Sequence, residues 1–124
     1  MNNLIAIIAG EPNSINSEII AKAWMKKKKL KNFFIIGNHS LIKKQIFKLG
    51  IQIPLIKINR IEDFKKEEKI FILDVPLKFK SIFNVNSSEV KKYVFKCFEI
   101  AHYFAINKKI SGFINAPIDK KILG

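Results

Sequence analysis

Residues 4–12 read LIAIIAGEP, an apolar run that ends in the turn-forming Gly10-Glu11-Pro12, and this stretch decides the fold class. A continuous apolar run rich in branched side chains is typical of a strand that is covered on both faces of a parallel sheet. The stretch therefore predicts the first, central strand of such a sheet. A comparable polar segment, Ala116-Pro117-Ile118-Asp119-Lys120, follows the apolar run 110–115. Ligands bind at the carboxyl ends of parallel strands, so these two segments give a first site hypothesis.

The rest of the chain alternates strand and helix patterns, which favours an α/β fold with a mainly parallel sheet and flanking helices. Further strands are predicted at 33–36, 51–58, 70–73 and 110–115. Pro54 interrupts the third of these five strands and suits either a sheet edge or a strand that begins there. The charged stretch 59–69 is predicted to be a surface connection.

Three helices are predicted from capping residues and apolar spacing. The first follows Asn13 or Ser14, the second follows Ser40, and the third follows Asn86, which forms a capping-box spacing with Glu89. The predicted inner stripe of the second helix is Ile42, Ile46, Phe47 and Leu49. The predicted inner stripe of the third is Val90, Val94, Cys97, Phe98, Ala101 and Ala105.

Length and charge limit the function classes. A chain of 124 residues fits a single α/β domain over 1–124 and is short for a two-domain enzyme. The net charge of +13 comes almost entirely from lysine, with Arg60 as the only arginine. Because arginine is the better residue for bidentate phosphate and base contacts, we predict no nucleic-acid partner. The lone Cys97 fits a reducing cytoplasm, and no segment is long and apolar enough to predict a membrane partner.

The familiar phosphate and metal motifs are missing from the sequence. It contains neither a Gly-rich dinucleotide fingerprint nor a Walker loop, and His39 and His102 do not lie at ligand spacing from a second histidine or a cysteine. We therefore assign no metal ligand and no catalytic residue to the chain. His102 is more readily explained as a structural residue.

The candidates for a substrate cleft are Glu11, Asn115 and Lys120, with Gly10, Pro12 and Pro117 shaping the two loops. Glu11 either orients a substrate hydroxyl or caps a local amide. Lys120 either donates to a phosphate or carboxylate or is an ordinary solvated lysine.

These segments resemble the N-terminal portion of the 4-hydroxythreonine-4-phosphate dehydrogenase family. The stretch 10–19 is similar to that family's Gly-Asp/Glu-Pro-Ala-Gly-Ile-Gly-Pro-Glu opening, and 116–120 is similar to its Gly/Ala-Pro-Ile-Asn-Lys segment. The similarity also runs from Ser87 to Gly124, through Tyr93 and Ala101. The chain departs from the family at two glycines, a proline and a helix glycine, which are replaced by Ser14, Asn16, Ser17 and Lys91.

The resemblance implies a three-layer fold like that of isocitrate and isopropylmalate dehydrogenases, in a cytoplasmic homodimer. It implies oxidation of 4-hydroxythreonine 4-phosphate, a small phosphorylated amino acid, with NAD or NADP and a divalent metal (Zn, Mg or Co). Decarboxylation follows, as a step of pyridoxal phosphate (vitamin B6) biosynthesis.

The family's metal-binding histidines, its His-Thr substrate pair and its dinucleotide-binding part are all expected beyond Gly124. The chain is therefore expected to be the N-terminal fragment of a longer dehydrogenase and inactive alone. The alternatives are a non-catalytic basic module that binds RNA or another polyanion, and a decayed remnant.

Overall fold

A computed structural model describes residues 3–13, 17, 18, 20, 21, 24 and 32–115 of the chain. The strands are β1 (Ile5–Ile8), β2 (Phe33–Gly37), β3 (Leu55–Ile58), β4 (Ile70–Asp74) and β5 (Gly112–Asn115). The helices with defined bounds are α1 (His39–Lys48) and α2 (Ser87–Ile106), and a short 3₁₀ turn spans Ile61–Asp63. Residues 17, 18, 20, 21 and 24 are also helical.

The five strands form one sheet in the order β3-β4-β2-β1-β5, and every neighbouring pair is parallel. β1 was predicted to be central, but it is an inner strand next to the edge strand β5, and β2 is in the middle of the sheet. β1 pairs Ile8 with Ile36 on one side and with Asn115 on the other. The predicted fold class, an α/β fold with a parallel sheet and flanking helices, is confirmed. β3 begins immediately after Pro54 at one edge of the sheet, which satisfies both predictions made for that proline.

The two faces of the sheet carry separate apolar clusters, because successive side chains of a strand point to opposite faces. On one face, Phe34 and Ile36 of β2 pack with Cys97 and Ala101 of α2. On the other face, Ile35 of the same strand packs with members of the helical segment around Ala21 and of α1. β2 is therefore covered on both sides, and the layers are helix, sheet and helix.

The start of α1 differs from the prediction. Asn38 rather than Ser40 is the N-cap, and its Oδ1 accepts a hydrogen bond of 2.9 Å from the amide of Leu41. Asn38 is the better N-cap because its other polar groups also have partners. Its amide donates to Tyr93 Oη, and its Nδ2 donates to the carbonyl of Val75. Asn38 is thus buried with all its polar groups hydrogen-bonded, whereas Ser40 is exposed to solvent.

The inner stripe of α1 is also corrected. Ile42 and Ile46 are buried as predicted, but Phe47 is 80% exposed and Leu49 is 39% exposed. The inner face is instead completed by Leu41 and by the polar Gln45. A buried glutamine does not look like part of an apolar stripe, so Phe47 and Leu49 were assigned to the inner face in place of Leu41 and Gln45.

α2 follows the prediction closely. Asn86 is its N-cap, although its Oδ1 accepts from the amide and hydroxyl of Ser88 rather than from the amide of Glu89. Val90, Cys97 and Ala101 of the predicted stripe are buried, and Tyr93 joins them. None of the helices in the described part of the chain has the length and hydropathy that crossing a bilayer requires.

Candidate functional site

The predicted site residues of the first loop lie where β1 ends. Gly10 has a φ of 78°, a left-handed conformation that favours glycine, and it turns the chain out of the strand. The carboxylate of Glu11 accepts a hydrogen bond of 2.8 Å from the amide of Asn13. Of the two predicted uses of Glu11, the structure shows the local amide cap, and contact with a substrate stays a prediction.

Pro12 and Asn13 fasten this loop to distant parts of the chain. The carbonyl of buried Pro12 accepts from Nε2 of Gln45 over 2.7 Å. Asn13 exchanges two hydrogen bonds with the backbone of Val85, at 3.0 and 2.6 Å. Asn13 is one of the two residues predicted to cap the first helix, and its side-chain oxygen accepts from the Val85 amide. The alternative, Ser14, lies outside the described residues, and the cap stays a prediction. The loop is therefore held from both sides, as a preformed ligand loop requires.

Gln45 is the central residue of this fastening and was not predicted. It is 2% exposed, and its Nε2 donates both to the Pro12 carbonyl and to the carbonyl of Ile82. Its Oε1 accepts a hydrogen bond from the hydroxyl of Ser17. Ser17 stands where the family resemblance expects a proline, and its hydroxyl now has a structural use. A polar residue inside an otherwise apolar helix face was the only signal that could have identified Gln45.

The carboxyl ends of β1 and β5 meet in one cleft, whereas the second predicted loop, 116–120, lies outside the described residues. Asn115 is paired with Ile8 in register, so the end of β5 lies beside the end of β1, although the residues are far apart in the sequence. A cleft of about 520 Å³ opens there. It is lined by Gly10, Glu11, Asn115 and, from α2, by Val90, Lys91, Val94, Phe95 and Phe98. We call this the β1–β5 cleft.

The β1–β5 cleft combines apolar walls with a few polar groups, which is the usual composition of a small-molecule site. Glu11 supplies a carboxylate, Lys91 an ammonium group and Asn115 an amide. The Oδ1 atom of Asn115 is buried and accepts no hydrogen bond from the residues that the structure describes. Because a buried polar atom without a partner is unfavourable, this oxygen is suited to accept a donor from a bound molecule.

Lys91 was noted in the sequence only as the replacement for a family glycine. The structure places it on the wall of the cleft, near the start of α2. The position follows from topology, because β4 ends at the carboxyl edge of the sheet and α2 begins soon after, so the first turns of α2 lie beside the strand ends. Lys120 and Pro117, together with Ser14 and Asn16, lie outside the described residues.

A second polar group lies at the ends of β2 and β4. The amide of His39 donates to the carboxylate of Asp74 over 2.9 Å, and Lys57 lies 3.8 Å from the same carboxylate. Burial, followed by the positive charge of Lys43, lowers the pKa of His39. Within residues 3–13 and 32–115 and the five described helical residues, no three His, Cys, Asp or Glu side chains lie together as a metal site requires. The described residues do not fit a metal, and we derive no step through one.

Comparison with known proteins gives a consistent result. No family model matches the chain. A 4-hydroxythreonine-4-phosphate dehydrogenase of Campylobacter jejuni is 29% identical over 133 residues, covering 94% of this chain. The enzyme of the same name from Beijerinckia indica is 22% identical over 125 residues, covering 99% of this chain. The chain is similar to 4-hydroxythreonine-4-phosphate dehydrogenases. The resemblance stated from the sequence is thereby confirmed.

Solved structures of 4-hydroxythreonine-4-phosphate dehydrogenases show the same fold. The Klebsiella pneumoniae enzyme superposes with a TM-score of 0.76 over 98% of this chain at 21% identity. A Salmonella typhimurium structure assigned to the same enzyme gives a TM-score of 0.81 over 98% of this chain at 23% identity. The chain spans 36–37% of the length of the two curated relatives. It covers 39% of each of these two solved chains.

Proposed function

We propose that the chain forms part of the substrate-binding region of an enzyme that oxidises 4-hydroxythreonine 4-phosphate. The observation that carries the proposal is the β1–β5 cleft. Glu11, which follows β1, and Asn115, which ends β5, both line it at the carboxyl ends of two parallel strands. The names of the relatives and the fold of the solved dehydrogenases support it. In the proposal, residues 1–124 are the N-terminal domain of a longer dehydrogenase.

The side chains of the cleft complement such a substrate. A phosphorylated hydroxy amino acid carries hydroxyl and ammonium donors, and Asn115 Oδ1 is a buried acceptor to which none of the described residues donates. The same substrate also carries phosphate and carboxylate groups, which can bind the ammonium group of Lys91. Glu11 holds the Asn13 amide and so keeps the loop in shape while its carboxylate borders the cleft. Lys120, Pro12 and Pro117 keep their predicted roles of binding an anion and shaping the loops.

The finer parts of the proposal concern the complete enzyme. NAD or NADP would supply the hydride acceptor and a divalent metal such as Zn, Mg or Co would supply a Lewis acid, and both would be held by parts of the complete enzyme other than the described residues. Loss of CO₂ follows, in pyridoxal phosphate biosynthesis, and the enzyme is a cytoplasmic homodimer. This chain contributes binding and orientation, and alone it is expected to be inactive.

A chimera tests the proposal. In the Campylobacter jejuni relative, the part aligned with this chain is replaced by the chain itself, and formation of reduced nucleotide is followed with 4-hydroxythreonine 4-phosphate, NAD and a divalent metal. We expect turnover. A chimera that folds and dimerises like the parent but shows no turnover contradicts the proposal.

The role of Asn115 is tested in the same chimera. Loss of one hydrogen bond to the substrate should lower kcat/KM of Asn115→Leu by about tenfold or more. The matched control is Asn84→Leu, an exposed asparagine outside the lining of the cleft, which should leave kcat/KM within about twofold. Equal effects of the two substitutions would remove Asn115 from the site.

A further inference from the structure

A second groove lies between α1 and the segment 51–55 that leads into β3. Its volume is about 970 Å³, and its lining shares no residue with the β1–β5 cleft. This volume lies near the upper end of the range of about 300–1,000 Å³ that is common for small-molecule sites. We call it the α1 groove.

Apolar side chains form much of the α1 groove. Ile51, Ile53 and Leu55 line it from the segment before β3, and Phe47 lines it from α1. Phe47 is 80% exposed, the highest value among the exposed large apolar side chains of the described residues. An exposed aromatic ring beside an apolar surface can pack against a flat ligand.

The polar lining of the α1 groove is positive. Lys43, Lys44, Lys48 and His39 line it, and among the described residues no aspartate or glutamate does. Lys44 is placed over the ring of Phe79, 5.4 Å from the ring centroid. Lys43 and Lys48 have no carboxylate partner within the described part of the chain.

Another groove of this chain shows that lysines are not left unpaired everywhere. Between the end of β3 and α2, Glu62 lies 3.5 Å from Arg60 and 3.6 Å from Lys109, while Lys96 lies 3.1 Å from Glu99. These ion pairs neutralise much of the charge of that groove. Among the described residues the α1 groove has no such ion pair, so its positive charge is available to a ligand.

The position of Lys43 places this charge next to the apolar lining. His39, Lys43 and Phe47 are each four residues apart and so form one row on α1. His39, Lys43 and Phe47 line the groove together with Leu55, so this row faces the segment before β3. Burial, then Lys43, and to a smaller extent Lys57 lower the pKa of His39, although Asp74 opposes them, which is consistent with a positive environment.

We propose that the α1 groove binds a soluble, small amphipathic anion, with its carboxylate, sulfonate or phosphate group beside Lys43 and its flat apolar body against Phe47 and Leu55. The site is separate from the β1–β5 cleft. The proposal therefore stands or fails independently of the dehydrogenase activity.

A pair of fluorescent probes tests this proposal on the 124-residue chain. 8-Anilinonaphthalene-1-sulfonate carries an anionic group on an apolar ring system, and N-phenyl-1-naphthylamine is its neutral counterpart. We expect the anionic probe to bind more tightly. Removing one charge contact in Lys43→Gln should weaken it by about threefold to fivefold and leave the neutral probe within about twofold.

Two further variants separate a site from general charge or apolar adsorption. Phe47→Ser should weaken both probes, because it removes apolar contact. Lys66→Gln, which removes a charge from an exposed position outside the groove, should change neither. NMR shifts of amides in 39–48 and 51–55 on addition of the anionic probe would support the proposed location.

Three results would overturn the proposal. One is equal affinity for the two probes in every variant, which indicates unspecific apolar binding by loosely folded chain. Another is an equal effect of Lys66→Gln and Lys43→Gln, which indicates diffuse charge. The third is displacement of the anionic probe by phosphatidylglycerol vesicles that bind in a Lys43-dependent manner, which indicates a membrane-binding surface.

Discussion

The backbone amide of Asn38 donates a hydrogen bond of 2.8 Å to the hydroxyl oxygen of Tyr93, and so joins the carboxyl end of β2 to the middle of α2. Tyr93 is 3% exposed, and burial is the main reason that its pKa is raised well above the ordinary value for tyrosine. The hydroxyl therefore stays protonated. It acts as the acceptor that a buried amide at the end of a strand needs.

Replacement of Tyr93 by phenylalanine should destabilise the fold. The Asn38 amide would stay buried without an acceptor, so we expect the free energy of unfolding of Tyr93→Phe to fall by about 1–3 kcal/mol. Urea denaturation measures this change. Tyr103→Phe is the control: that tyrosine is 62% exposed, and its variant should stay within about 0.5 kcal/mol of the unchanged chain. If the free energy of unfolding falls by a similar amount in both variants, the contact between Asn38 and Tyr93 does not stabilise the fold.

Gly37 lies at the end of β2 in a space that admits no side chain. A Cβ there would come within 2.8 Å of Ala9 Cβ and 2.9 Å of Tyr93 Oη. We therefore expect Gly37→Ala to lower the free energy of unfolding by about 1–3 kcal/mol through overpacking. Gly112→Ala is the matched control, because a Cβ at Gly112 meets no atom within 4 Å. Thermal unfolding of both variants checks the prediction, and a Gly37→Ala variant that melts with or above the Gly112→Ala variant contradicts it.

Gln45 should be sensitive even to a substitution that keeps its size. Gln45→Leu removes its bonds to the carbonyls of Pro12 and Ile82 and to the hydroxyl of Ser17. Because buried carbonyls lose their donor, we expect a loss of about 2–5 kcal/mol. Gln52→Leu, at an exposed position, should change the free energy of unfolding by no more than about 0.5 kcal/mol.

The Gln45→Leu variant also has a local readout. Amide hydrogen exchange in the loop at 10–13 should become faster relative to the strands, because the Pro12 contact is lost. If exchange in this loop stays as slow as in the unchanged chain, Gln45 does not fasten the loop.

The lowered pKa of His39 predicts a pH dependence of stability. The folded chain resists protonation of His39, whereas the unfolded chain takes up the proton near the ordinary pKa of 6.5. The unfolded state therefore binds more protons in this range, and stability falls as the pH is lowered from 6.5 towards the pKa of the folded state. Above pH 6.5 the neutral imidazole is present in both states, and the contribution of His39 is constant.

The measurement is the free energy of unfolding of the unchanged chain and of His39→Asn at a series of pH values. We expect a constant difference at and above about pH 7.5, and a decline of the unchanged chain relative to the variant from about pH 6.5 to about pH 5. A parallel course of the two curves through this range would show that His39 does not titrate differently in the folded state.

Apolar runs were sufficient to predict all five strands and the long helix α2. The runs 5–8 and 70–73 are recognisable because they are continuous and apolar, as is typical of strands in a parallel sheet. The strand order was not predicted, since periodicity describes what covers an element and not which element lies beside it. Neighbouring strands are far apart in the sequence, as the pairing of Ile8 with Asn115 illustrates.

The errors in the predicted helix α1 have a common cause, which is that polar side chains occupy buried positions where apolar ones were expected. Gln45 took a place on the inner face of α1, and Phe47 on a neighbouring row was consequently misassigned as buried. Asn38 displaced Ser40 as the cap because three of its groups find partners. Glu11 and Asn115 were brought to one cleft because parallel strands end at the same edge. The position of Lys91 in that cleft depends on how α2 crosses the sheet, and local sequence patterns do not predict this crossing.

The reciprocal bonds between Asn13 and Val85 have a consequence for the time course of folding. The two residues are separated by 72 positions in the chain, and Gln45 joins the same loop from 33 positions away. Contacts of such sequence separation require long loops to close, so they are expected to form late, after local helices and neighbouring strands. During synthesis the loop at 10–13 leaves the ribosome before residue 85 does, and it acquires its final shape only after residue 85 has been made. Glu11 is thus made long before Val85 but reaches its final position only after it.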